Sequence, residues 1–224
     1  MAGAHPEDAR ALAERDLSRL RAATYELSWL LSRGYADGAA LSLVGNKHQL
    51  GQRQRMMVRR CSATEAEVAA RRSRRVEDPS GWEVAVDGFN QLVTTERGLA
   101  GGAVLRGRDG VVRDVASVHG TWRRSERTDA ALDLLVEGLQ SVRRVVWILD
   151  APVSNSGRLA GFIRSRGDFE VRLEASADRA LASTGWVVAT SDGPLIEKCP
   201  GYLPLAELAL RSRGIEAVDL GSIG

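Results

Sequence analysis

Beyond residue 81 this chain alternates short apolar runs with segments of helical spacing, and the runs break off at aspartates. Trp82–Asp87 (WEVAVD) is the first, Val145–Asp150 (VVWILD) the second and Trp186–Asp192 (WVVATSD) the third. A fourth acid, Asp178 in EASADRAL, stands where a helix should begin. Strands alternating with helices predict a mostly parallel sheet with helices on both faces. In such a sheet the carboxyl ends of the strands border one crevice, where ligands bind. Carboxylates gathered there repel one another unless a proton or cation intervenes. The pattern therefore predicts a divalent-metal site, with Mg²⁺ or Mn²⁺ as the hard cation that suits oxygen ligands, and points toward phosphate chemistry.

The first part of the chain has a different period. Leu17, Leu20, Leu27 and Leu31 keep helical spacing up to Gly34, a helix-ending glycine. Ala39–Val44 reads as a short apolar piece, Gln49–Arg60 as a second helix, and Ser62–Glu65 as a capping box opening a third that ends near Arg75. Asp78-Pro79-Ser80-Gly81 is the clearest boundary. The expected organisation is a small all-helical domain over 1–78 followed by an α/β domain over 82–224. Residues 1–80 carry 14 Lys and Arg against 10 Asp and Glu, whereas 81–224 carry 17 against 19, so the small net charge of +2 hides a basic front part. Two cysteines form neither a disulfide framework nor a zinc spacing. No signal peptide and no run of membrane-spanning length is read, so a cytoplasmic protein without membrane association is expected.

The words VDGFNQL, VVWILDA, EASADRAL and VVATSDGPLIEK, in that order, resemble the NYN branch of the PIN-like nucleases over roughly residues 82–200. Carried over, the resemblance implies a PIN/NYN-like fold in which Asp87, Asp150, Asp178 and Asp192 bind the metal. Asn90 would hold a carboxylate, a metal-bound water or a substrate phosphate. The implied activity is metal-dependent phosphodiester hydrolysis, with RNA as the expected substrate and DNA as the alternative. Gly88 and Gly193, beside two of the acids, leave room for a substrate backbone. Two departures stand out. Gly193 and Pro194 follow Asp192 where these enzymes commonly carry a further acid, and 103–122 reads as a hairpin with an Asp109-Gly110 turn rather than a helix. The front part, RGYADGAALSLVGNKHQLGQRQRMMVRR, resembles the module called domain of unknown function 434, which brings no activity with it.

Substrate contacts are expected from two basic stretches. Arg53, Arg59 and Arg60 lie in a run that suits nucleic-acid phosphates. His119, Arg123 and Arg124 flank Trp122 in a loop that suits a base and a phosphate. Both stretches have an alternative reading: a solvated helical face in a chain with 29 Arg and 2 Lys, and a loop packed on the sheet edge. The N-terminal helices are also where a homo-oligomer would form. Two other functions stay open: a non-catalytic nucleic-acid- or nucleotide-binding regulator, and a metal-dependent phosphatase or nucleotide hydrolase.

Overall fold

The computed structural model describes residues 7–115 and 121–222. The front part is helical: α1 (Asp8–Ala11), α2 (Glu14–Leu31), α3 (Asp37–Lys47), α4 (Gln52–Cys61) and α5 (Glu65–Arg72). Gly34 ends α2 with φ of 79°, the left-handed conformation expected there. The Ala39–Val44 piece lies inside α3, where Ala40 and Val44 stack one turn apart on the buried side. The capping box sits two residues later than its sequence reading. The Glu67 amide donates to the Thr64 hydroxyl (3.2 Å), and the Thr64 amide donates to the Glu67 carboxylate (2.7 Å). Ser62 is unavailable as a cap because its hydroxyl donates to the Val58 and Thr24 carbonyls.

The α/β part runs β1 (Glu83–Asp87), α6 (Gly88–Leu99), β2 (Val104–Arg106), β3 (Val112–Asp114), α7 (Thr128–Glu137), β4 (Arg144–Asp150), α8 (Ser156–Arg164), β5 (Glu170–Glu174), α9 (Ala177–Ser183), β6 (Val187–Ala189), α10 (Gly193–Lys198), α11 (Leu205–Arg211) and β7 (Val218–Asp219). Four parallel strands form the main sheet in the order β5-β4-β1-β6. Val86 pairs with Trp147 on one side and Ala189 on the other. The two-residue period of a strand divides its side chains between two cores. Val84, Val86, Trp147 and Leu149 pack with residues of α6, α7 and α8. Ala85, Val146, Ile148 and Val188 pack on the opposite face with residues of α9 and α10. Burial on both faces explains why these strands are continuous apolar runs rather than alternating ones.

The hairpin β2–β3 forms as expected, turning through Gly110 at φ of 80°. It does not join the main sheet. With β7 pairing parallel to β2, it makes a second three-stranded sheet in the order β3-β2-β7. Ala103, Leu105, Val115 and Leu220 from this region complete one core with Leu20, Leu27, Met57 and Cys61 of the helices. The front helices and the α/β part thus share a core across the 78–81 turn.

Candidate active site

The three acid-bearing strands β1, β4 and β6 are neighbours in the main sheet, so Asp87, Asp150 and Asp192 emerge at one edge. Asp178 arrives there in the first turn of α9. Together with Asn90 they line a single pocket of about 250 Å³, to which Arg60 and Asp114 also contribute. The structure therefore brings all five sequence-expected site residues together. His119 lies outside the described residues.

Each acid is held by its local fold. Asp87 caps α6, accepting from the Asn90 amide (3.4 Å) and from the Thr190 hydroxyl (2.8 Å). Asp150 accepts from the Ala177 amide (2.8 Å), tying the end of β4 to the start of α9. Asp192 caps α10 through the Leu195 amide (3.0 Å), and Pro194 fits the first turn of that unforeseen helix. Ser176, not Asp178, caps α9, and Asp178 lies in the first turn of that helix. The Oδ1 of Asn90 accepts from the Ser191 amide (2.9 Å), the Ser191 hydroxyl (3.0 Å) and the Gln91 side chain (2.9 Å). Asn90 thereby fixes the loop that carries Asp192.

The electrostatics are those of crowded acids. Burial pushes the Asp87 carboxyl up to about 7, with Asp178 and Asp150 adding to the rise against the opposing bonds from Thr190 and Asn90. Burial raises Asp178 as well, helped by Asp192 and Asp150. Among the described residues, no three acidic, imidazole or thiol side chains already stand in a set that would hold a metal ion. The chemistry of the donors nevertheless fits a hard divalent cation. All are carboxylate oxygens, the hard donors such a cation prefers, and Mg²⁺ or Mn²⁺ needs few protein ligands because it retains waters.

Two glycine readings need correction. A Cβ on Gly88 would lie 2.3 Å from a Leu149 methyl, and one on Gly193 would lie 2.3 Å from the Arg71 guanidinium carbon. These glycines admit neighbouring side chains, not a substrate backbone. Arg71 belongs to a buried hub. Its guanidinium donates to Glu67, Asp109 and Glu197 at 2.7–2.9 Å, while Arg113 donates to both Asp109 oxygens (3.0 and 2.7 Å) and to the Ser191 carbonyl (3.4 Å). Burial alone would raise the Asp109 carboxyl, but the Arg113 and Arg71 charges outweigh it and hold it below the usual range. The hub pins α5, the β2–β3 turn and α10 around the Asp192 loop.

The basic residues divide. Arg60, at the end of α4, donates through Nε to the Asp114 carbonyl (2.9 Å) and lines both the acid pocket and an adjoining cleft of about 720 Å³. Arg59 lines that cleft, as does Arg55. Arg53 lies elsewhere, in a separate 430 Å³ groove, with its Nε bonded to Asp8 (2.8 Å). Arg124 pairs with Asp129 and stacks over Phe162, and neither it nor Arg123 lines the acid pocket or the cleft. Trp122 is buried in the core. The sequence reading missed Asp114 in the pocket. Its signal was present, an apolar run ending in VVRD, but the hairpin context drew attention to the turn.

Fold and site define a two-part α/β protein with an acid-lined pocket at the carboxyl ends of a parallel sheet, beside a helical module. The chain belongs to the family described as a domain of unknown function (DUF5616), which matches residues 76–208. Residues 19–74 match a second family, described as a protein of unknown function (DUF434), in agreement with the resemblance read from the sequence. The chain is similar to an uncharacterized protein of Methanocaldococcus jannaschii, with 32% identity over 181 residues covering 77% of this chain and 86% of the relative. No solved structure matches it.

Proposed function

We propose that the α/β part is a PIN/NYN-like, metal-dependent nuclease acting on RNA. The observation that carries this reading is the meeting of Asp87, Asp150, Asp178, Asp192 and Asn90 in one pocket that shares Arg60 with a basic cleft. The four aspartates would hold Mg²⁺ or Mn²⁺. When bound, the cation supplies water activation and neutralises charge on the phosphate. Thr190 orients Asp87, Asn90 and Ser191 hold the Asp192 loop, and Arg60 at the mouth offers a cation to the substrate phosphate. Asp87→Asn and Asp192→Asn, which keep the capping bonds, are expected to abolish Mn²⁺-dependent cleavage of an RNA oligonucleotide. Wild-type cleavage rates in both variants would sink the proposal.

A second reading draws on Gly193 and Pro194 in place of a further acid: a regulator that binds nucleic acid at a degenerate site. Salt-sensitive RNA binding by the wild type, with no cleavage under Mg²⁺ or Mn²⁺, would select it.

A further inference from the structure

The cleft of about 720 Å³ is walled on one side by α4 of the helical module and on the other by Ser191, Gly193 and Pro194 beside the acid pocket. Arg55, Met56, Arg59 and Arg60 project from α4 into it at helical spacing. We infer that this cleft binds one unpaired RNA strand, with Arg55 and Arg59 on its phosphates and Arg60 delivering one phosphate toward the acids. The helical module would then be half of the substrate site. The inference rests on the nuclease reading only for what happens to the strand after it binds.

The charge needed is available. Arg55 is held by neutral acceptors, the Leu50 carbonyl (3.0 Å) and the Asn46 side chain (2.8 Å), so its own bonds leave its charge uncancelled. Arg59 pairs with Asp37 where both side chains are about half exposed (45% and 48%), and such a surface pair is weak enough for a phosphate to displace. Between the arginines, Met56 is 47% exposed and shares the cleft with Leu41 and Pro194, an apolar floor on which bases can lie. Alternating phosphate-seeking and base-seeking groups are what a single strand requires. A duplex turns its bases inward and would touch only the rim. Asp87, 7% exposed, lies deep in the acid pocket, which adjoins the cleft through Arg60, Asn90 and Asp192.

The test is fluorescence anisotropy of a labelled single-stranded 12-mer RNA and its duplex, in EDTA, across a salt series. The single strand should bind at least tenfold more tightly than the duplex. Arg59→Ala and Arg55→Ala should each weaken it and reduce the slope of log K against log salt by about 0.7, the value for one phosphate contact on a single strand. Arg15→Ala, in the separate groove, should change neither. Arg59 makes only an exposed pair, so its removal leaves the fold intact even if Arg55→Ala does not. Equal binding of duplex and single strand, or an unchanged slope in Arg59→Ala, would overturn the inference. Cleft-dependent binding without cleavage in Mn²⁺ would instead defeat the nuclease reading and leave this one standing.

Discussion

Asp87 shows what the site costs the fold. Its carboxyl is buried, and burial together with Asp178 and Asp150 pushes it up to about 7. An unfolded Asp titrates near 3.9, so between about pH 4 and 7 the folded chain keeps a proton that the unfolded chain releases. Stability contributed by this group is therefore fully present below about pH 4 and is lost as pH rises through 7. Asp87→Asn should remove the penalty while its one amide oxygen keeps the Asn90 cap. In EDTA the variant is expected to be more stable than wild type at pH 8, by on the order of 2–4 kcal/mol, and equal to it near pH 4. Urea denaturation of both proteins from pH 4 to 8 measures this directly. A gain that does not depend on pH, or a loss at pH 8, would show that the Asp87 environment is not as described.

At the scale of elements, much of the main sheet was legible because its signal is local. Trp82–Asp87 and Val145–Asp150 are continuous apolar or β-rich runs, and each is a strand within a residue of its reading. The acids were legible for the same reason, since they end those runs. Less visible were the elements whose identity depends on distant partners. Helix α10 is six residues long and exists because Asp192 caps it and Leu195 and Ile196 are buried beneath it. Helix α3 reads in the sequence only as the short apolar piece Ala39–Val44, because it depends on the core in which Ala40 and Val44 are buried. The hub was invisible because Arg71, Asp109 and Arg113 join three elements, and no spacing announces a contact across 38 residues. It also yields a sharp expectation. Asp109 is 1% exposed between two arginines, so Asp109→Asn leaves the buried Arg113 without its acid, while Arg71 keeps Glu67 and Glu197. Breaking such a pair costs about 3–5 kcal/mol, to be read as a shift in the urea midpoint. A cost below about 1 kcal/mol would mean that water reaches the hub.

At the scale of the whole molecule, the family boundary between residues 74 and 76 does not coincide with a boundary between cores. Leu20, Leu27, Met57 and Cys61 of the helical module are fully buried, and part of their cover is Leu105 and Leu220 from the small sheet. The hub adds buried ion pairs across the same junction. The α4 row and the acid pocket then face one cleft whose geometry depends on that junction staying closed. Such sharing predicts one cooperative transition for the full chain and no stable helical module alone. A 1–75 fragment would expose the apolar surface that the sheet covers and leave the Arg71 guanidinium without Asp109 and Glu197. Side chains of this size contribute about 1.5–3 kcal/mol each on burial, so losing their cover in several places is enough to unfold a module this small. Circular dichroism of the fragment in urea should therefore show a broad, non-cooperative change, while the full chain gives coincident transitions by far-UV signal and tryptophan fluorescence. A fragment melting sharply, or two separated transitions in the full chain, would make the modules independent and the cleft between them a variable gap.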